Sequence, residues 1–225
     1  MRDIKSLCVY CGSSSGGNAE YTDAAKAFGT RLAQEGIALV YGGGKVGLMG
    51  TVADAVLAAG GRVIGVIPRQ LVEKEVAHIG LSELQVVETM HERKTRMYEL
   101  SDAFVALPGG FGTMDEIFEC ATLIQTGKIK NFPLILMGTE YWQPLHDFLC
   151  HRMVPEKTIL PADCDRIIFT DSVDEAMERI LSAATHEFGL VWQAAPQGSP
   201  RWYLGEGQLQ RADPEVDLEK ARKAG

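Results

Sequence analysis

The chain has 225 residues, 46% of them hydrophobic and 23% charged, and a formal net charge of −8 at pH 7. That length supports one well-buried α/β core with a tail rather than two equal domains. The acidic balance speaks against a nucleic-acid polymer or an acidic membrane surface as partner, although a local ring of N–H groups and basic side chains can still hold a small phosphorylated ligand.

In chain order, Ser6–Tyr10 reads as a first strand, followed by the small polar loop 11-CGSSSGGN-18. A helix from Ala19 to Gln34 then spaces Tyr21, Ala24, Ala25, Phe28 and Leu32 along one stripe. Loop 13–17 is either a ligand loop or an ordinary turn capped by Ser or Asn. Ile37–Tyr41 forms a second strand, and 42-GGGKVGLMG-50 turns into a helix over about 48–59. Consecutive glycines are costly in backbone entropy, which points to something approaching the chain closely. Their order fits neither a Walker A loop nor a dinucleotide fingerprint. Arg62–Ile67 makes a third strand, 68–80 a charged loop or irregular short helix over the site, and Leu84–Glu88 a fourth strand.

In 90-MHERKTRMYELSD-102, Met97, Tyr98 and Leu100 can dock on the core while His91, Arg93, Lys94 and Arg96 lie at the helix start or on its outer side. A basic cluster near the N-terminal end runs against the helix dipole, a conflict that hints at function. Ala103–Leu107 is a fifth strand, and it stops at Pro108 to enter 108-PGGFGTMDEIFE-119. The glycines permit close approach of a ligand, and the free N–H groups of a new helix supply a positive end for an anion. Asp115, Glu116 and Glu119 put carboxylates close by. Pro133–Met137, a helix over 141–154, Arg166–Thr170 and a helix over 172–184 complete the series, the last with a capping box of Ser172 and Glu175. Alternating strands and helices predict an α/β fold, a mostly parallel sheet covered by helices on both faces.

Residues 1–185 form the predicted domain, and 186–225 a Pro- and Gly-rich tail, partly disordered or packed on a surface through Trp192, Trp202 and Tyr203. Cys8, Cys11, Cys120, Cys150 and Cys164 are scattered in apolar or element-edge positions. That pattern suits a reducing compartment and buried thiols better than a disulfide framework or a zinc site. The N-terminus lacks the apolar stretch of a signal peptide, and no run approaches the roughly 18–20 apolar residues that span a bilayer, so a soluble, cytoplasmic protein without membrane contact is expected.

Ligands of open parallel sheets bind beyond the strand C-termini, where the strand order reverses. Loops 11–17, 41–47, 88–94 and 108–113 arrive there with hydroxyls, N–H groups, Arg93, Lys94 and Glu116. This set suits a compound carrying a phosphate, a sugar and a group to be displaced. Glycosidic cleavage needs a carboxylate to stabilise a developing oxocarbenium ion or to orient water. Glu116 can lie within one sugar's length of a phosphate held by Gly109, Gly110, Gly112 and Thr113, and Arg93 can anchor ribose or the departing base. Plainer readings stand beside this one. Asp115 and Glu116 can simply complement the helix dipole, Arg93 can pair with Glu88 or Glu92, Thr113 can be an N-cap, and Glu119 can orient Arg93 or Arg96.

Taken together, these stretches resemble the LONELY GUY (LOG) family of cytokinin riboside 5'-monophosphate phosphoribohydrolases, often labelled lysine decarboxylase-like. The family's PGGxGTxxE stands in full at Pro108–Glu116, and VYCGSSSG, YGGGKVGLMG and MHERK match in order and spacing over about residues 4–184. The resemblance implies a Rossmann-like three-layer sandwich, usually a homodimer with the site near the interface. It also implies hydrolysis of N6-modified adenosine 5'-monophosphates to free base and ribose 5-phosphate. It makes Arg93 and Glu116 the catalytic pair, and it makes Gly12, Ser13, Gly43, Gly44, Glu75, Lys94, Gly109, Gly110, Phe111, Gly112, Thr113 and Thr122 substrate-binding. No metal and no cofactor is expected, and the partner is a small-molecule nucleoside 5'-monophosphate. An AMP nucleosidase and a nucleotide-binding protein without turnover are the alternatives. A pyridoxal-phosphate decarboxylase needs a Schiff-base lysine and a partner for the pyridine nitrogen; Lys45 and Lys94 stand near glycine loops but without the rest of that arrangement. The sequence departs from many relatives in having Asp115 before Glu116 where they have Glu-Glu, and in its tail.

Overall fold

A computed structural model of the chain describes residues 4–73, 77–129 and 134–185. Short apolar runs between turn signals become strands: β1 (Ser6–Tyr10), β2 (Ala38–Tyr41), β3 (Val63–Pro68), β4 (Glu83–Val87), β5 (Ala103–Ala106), β6 (Leu134–Met137) and β7 (Ile167–Thr170). The helices are α1 (Ala19–Gln34), α2 (Gly47–Ala58), α3 (Arg69–Glu73), α4 (Met90–Glu99), α5 (Phe111–Gln125), α6 (Thr139–Phe148), α7 (Pro161–Asp165) and α8 (Val173–Thr185), with a π-helical turn, Leu149–Met153, continuing α6. The short helix α7 is an element the sequence reading does not contain. At the start of α8 the predicted capping box is half formed. Ser172 Oγ accepts from the Glu175 N–H at 3.2 Å, but the Glu175 carboxylate accepts from the Thr170 hydroxyl at 2.6 Å.

The seven strands form one sheet in the order β4-β3-β2-β1-β5-β6-β7. Every pairing among these described strands is parallel, so the expected mostly parallel sheet is wholly parallel across them. Parallel neighbours joined by right-handed crossovers put successive helices on one face while the order runs one way, and on the other face once it reverses. Accordingly α1 packs against α2 and α8, while α4 lies against β3 and β4, and α5 against β1 and β6. With both faces covered, the central strands are continuously apolar: Leu7, Cys8 and Val9 of β1 and all of β5 are almost fully buried, as are Phe28 and Leu32 from α1.

The chain order reverses between β1 and β5, which pair directly, Tyr10 opposite Ala106. This places the loops after β1 and β5 side by side at one sheet edge, where a parallel sheet binds its ligands. No described helix is long and apolar enough to cross a membrane. The expectation of unpaired cysteines is corrected for two of them. Cys150 in the π turn and Cys164 in α7 are joined as a disulfide, their Cα atoms 5.9 Å apart. Their partnership depends on α7, which brings Cys164 back against the end of α6. Residues 186–225, and with them the expectations for Trp192, Trp202 and Tyr203, lie outside the described residues.

Candidate active site

The loops after β1 and β5 meet backbone to backbone. The Gly12 N–H donates to the Pro108 carbonyl at 3.0 Å, and the Met49 N–H of α2 donates to the Gly12 carbonyl at 3.3 Å. A Cβ at Gly12 would come within 3.3 Å of the Gly109 Cα, and one at Gly109 within 2.9 Å of the Gly12 nitrogen, so both positions need the bare backbone. Tyr141, in the first turn of α6, donates its hydroxyl to the Gly109 carbonyl at 2.6 Å and fastens the loop from the other side. Ser13 is exposed beside this junction.

Beyond it the chain enters α5 through Gly110, an N-cap with no side chain to cap the helix. The first N–H groups of α5 therefore point outward with the positive end of the helix behind them. Cβ atoms at Gly110 or Gly112 would meet nothing within 4 Å, and the side chain of Phe111 between them is 97% exposed. Thr113 is not the N-cap; it is buried in the first turn, its side chain against Gly109.

Second-turn residues of α5 carry the acids. Helical Cβ atoms tilt toward the N-terminus, so the Glu116 carboxylate reaches back toward the uncapped end, about 9 Å of helix rise from Gly110. There it meets α4. The Arg93 Nη1 stands 3.1 Å from Glu116 Oε1, with both side chains about nine-tenths buried. Arg93 Nε donates to the Val66 carbonyl of β3 at 3.2 Å. Next to this pair, Lys94 Nζ lies 2.9 Å from Asp115 Oδ2 and 2.6 Å from Glu119 Oε2.

This arrangement corrects the expected face of α4. Arg93 and Lys94 are not on its outer side; each is 8% exposed and turned inward. Burying a charge is tolerable when an opposite charge and a hydrogen bond receive it, and here α5 supplies the carboxylates while β3 supplies a carbonyl. Glu88 belongs to Arg69, which it holds at 2.8 Å, so it is not the partner of Arg93. Glu119 orients Lys94 rather than an arginine.

Electrostatically the centre is poised. Burial pushes the Glu116 carboxyl up to about 7 against the pull of Arg93, with Asp115 adding to the rise. The Arg93–Glu116 contact lacks hydrogen-bond geometry, leaving Glu116 Oε1 buried without a hydrogen bond. Burial opposes the charge on Lys94, yet Glu119 and Asp115 hold its pKa above the ordinary value. The neighbouring Cys11 thiol is raised by burial first and by Glu116 second, and so stays protonated.

Gly42 is the site residue that sequence reasoning misses, because it singled out Gly43 and Gly44. A Cβ at Gly42 would overlap Arg93 Nη2 and lie 3.0 Å from Cζ and 3.1 Å from Met49 Sδ. The guanidinium thus occupies space that only a glycine leaves. Gly43 has φ +74 and would press a Cβ to within 3.0 Å of the Ile67 Cβ. Its carbonyl accepts from the His78 N–H, and that of Gly44 accepts from the Tyr41 hydroxyl. These glycines fit strand to strand, and the signal available was only their run of three.

Two further expected residues stand apart. Thr122 is exposed, donates to the Phe118 carbonyl within α5, and lines an apolar cavity of 170 Å³ with Ile117, Leu149 and Met153; it does not join the Arg93–Glu116 pair in this chain. Glu75 lies outside the described residues. Among the described residues, the His, Cys and carboxylate group close enough to share a metal ion is His146, Cys150 and Cys164, away from these loops.

Fold and site define the class: a Rossmann-like α/β protein whose buried guanidinium–carboxylate pair and glycine-rich helix entrance sit at the switch point of a parallel sheet. A solved molybdenum cofactor binding protein from Rippkaea orientalis shares the fold, with a TM-score of 0.62 and 20% identity over 81% of this chain and 98% of that one. The family model described as "Possible lysine decarboxylase" matches residues 49–180. Among curated proteins, the cytokinin riboside 5'-monophosphate phosphoribohydrolase of Rhodococcoides fascians is 44% identical over 79% of this chain and 90% of its own length. The rice enzyme of the same name (Oryza sativa subsp. japonica) is 42% identical over 84% and 78%. The chain belongs to this family, the LONELY GUY phosphoribohydrolases. The decarboxylase description finds no foothold in the site, since Lys45 is exposed and Lys94 is held protonated between two carboxylates, the reverse of a Schiff-base lysine.

Proposed function

We propose that the protein hydrolyses the N-glycosidic bond of N6-modified adenosine 5'-monophosphates, releasing the free base and ribose 5-phosphate. The observation that carries this reading is the buried Arg93–Glu116 pair, 3.1 Å apart, one and a half turns along a helix whose N-terminus has no side-chain cap. The 5'-phosphate rests on the N–H groups of 110–113, with Gly12, Ser13, Gly109, Gly110, Phe111, Gly112 and Thr113 shaping the cradle. Gly43 and Gly44 hold the adjoining edge, and Lys94 keeps Asp115 and Glu119 in place.

Ribose then spans toward Glu116. As the bond from C1' to the base nitrogen breaks, positive charge develops on the sugar, and a carboxylate in a water-poor site opposes it strongly. Water supplies the hydroxyl to C1' and a proton to the departing base, so atoms balance without a cofactor. Arg93 holds Glu116 in its reactive position and lends donors to the ribose or the base. The protein acts as a homodimer, which gives Thr122, exposed on the far side of α5, access to the nucleotide of the other copy.

Incubation with isopentenyladenosine 5'-monophosphate and with AMP, following base and ribose 5-phosphate together, tests this. Faster release from the modified nucleotide is expected. Faster release from AMP would assign a salvage nucleosidase, and release from neither would leave a nucleotide-binding protein without turnover.

A further inference from the structure

The cysteines divide into two chemical groups. Cys8, Cys11 and Cys120 are buried free thiols. Burial raises all three, Cys120 to about 12, so almost none is thiolate near neutrality. Cys150 and Cys164 are instead joined to one another, and Cys150 is only half-buried.

The surroundings of that pair are polar and basic on one side. His146, one turn before Cys150, places Nε2 3.6 Å from the Cys150 sulfur. Ligating atoms of His146, Cys150 and Cys164 all lie within 4.8 Å of one another. The other ring nitrogen of His146 is buried without a hydrogen bond and has the Asp147 carboxylate at 3.7 Å. Phe169 and His151 meet the ring edge-on, with centroids at 4.7 and 6.1 Å, and His151 shares Asp147 at 3.4 Å. Next to Cys164, Asp163 is already engaged by Arg166, Gln125 and the Leu160 N–H. The basic group facing Cys150 is thus the imidazole of His146, with the Asp147 carboxylate beside its other nitrogen.

We propose that Cys150 and Cys164 form a redox-active dithiol–disulfide site, with His146 holding the Cys150 thiolate in the reduced state and dithiols as the class of reductant. A dithiol thiolate attacks one sulfur, breaks the S–S bond and expels the other cysteine as thiolate. The second thiol of the same reagent then displaces the mixed disulfide. Two electrons pass to the cysteines, one proton to Cys164 and one to the His146 imidazole beside the Cys150 thiolate, and the dithiol leaves as its own disulfide. A neighbouring imidazolium stabilises the reduced form, which makes a disulfide easier to reduce. The bond ties the π turn to α7, and Leu149, Met153 and Asp163 of these elements wall the 170 Å³ cavity against Ile117 and Phe118 of α5. Its redox state therefore decides whether the wall behind the helix carrying Glu116 is cross-linked.

The test uses the full chain in buffers of reduced and oxidised dithiothreitol, quenched in acid and mapped by alkylation and mass spectrometry. Cys150 and Cys164 should interconvert together while Cys8, Cys11 and Cys120 stay protected in the native protein. In Cys164→Ser, where Cys150 stands alone, alkylation against pH should report a pKa at least about one unit below the ordinary thiol value near 8.5. Adding His146→Asn should restore that ordinary value and slow alkylation about tenfold at neutral pH. Cysteines that stay reduced in oxidising buffer, or a Cys150 pKa indifferent to His146, would overturn the assignment. Stoichiometric Zn²⁺ uptake by the reduced wild type that blocks reoxidation would also overturn it, making the trio a metal site. The redox titration of the wild type needs no variant and is independent of nucleotide turnover.

Discussion

Two glycine-rich loops leave the carboxyl edge of the same sheet, and they use their glycines in opposite ways. In the loop after β2, missing side chains make room for the protein itself: Arg93 fills the space beside Gly42, and β3 crowds Gly43. In the loop after β5, Gly109 is packed, but Gly110 and Gly112 face open space at an uncapped helix end. A glycine run in sequence therefore marks close approach without saying by what. The first loop makes room for the Arg93–Glu116 pair, and the second leaves helix N–H groups facing open space.

Substituting each loop in turn sharpens that contrast. Gly42→Ala should have the largest effect, because its φ is ordinary and the new methyl's main obstacle is Arg93. Displacing the guanidinium from Glu116 should lower kcat by about 10²-fold, the scale of losing one preorganised electrostatic group. It should also lower the thermal midpoint, since a buried pair that loses its partner costs up to about 3–5 kcal/mol. Steady-state kinetics beside calorimetry reads both, and an unchanged kcat would separate Arg93 from the chemistry.

The pH profile probes the same centre without mutation. Burial pushes the Glu116 carboxyl up to about 7, and the proposed mechanism uses it as a carboxylate, so kcat/KM should be full above pH 7 and fall about tenfold per unit below it. Stability runs the other way. A carboxyl whose folded pKa is raised contributes stability below its ordinary value of 4.5 and loses it as pH climbs through about 7, a change of about 3 kcal/mol in scale. Denaturant titrations between pH 4.5 and 8 check the direction, and a stability rising across that interval would contradict the burial argument. Smallest is Gly112→Ala in the open loop. The fold should gain up to about 1 kcal/mol from helix propensity, while KM for the nucleotide rises severalfold; a destabilised variant would show that this loop is packed after all.

Much of the scaffold was legible because a parallel sheet writes itself as short apolar runs separated by turn residues. The strand Ser6–Tyr10 and the helix Ala19–Gln34 coincide with their predicted limits. What stayed hidden depends on partners distant in sequence. Arg93 and Lys94 look like surface cations until α5 supplies Glu116, Asp115 and Glu119 across the edge. The role of Gly42 exists only once Arg93 is turned inward, and Tyr141 reaches Gly109 from another helix. Cys150 and Cys164 carry no pairing signal in their spacing, because only the short helix α7 brings Cys164 back against the π turn. The loop 108–113 was readable as an anion cradle from local chemistry, whereas the pairing of its acid was not.

In the proposed mechanism the carboxylate buried against Arg93 performs the cleavage while the loop before it holds the phosphate. Glu116→Gln keeps the size and polarity of the side chain but removes its charge, so turnover of isopentenyladenosine 5'-monophosphate and binding of the same nucleotide by calorimetry are measured together. The predicted result is a loss of turnover of at least about 10²-fold with the dissociation constant nearly unchanged. Turnover at the wild-type rate in a folded Glu116→Gln protein would contradict it.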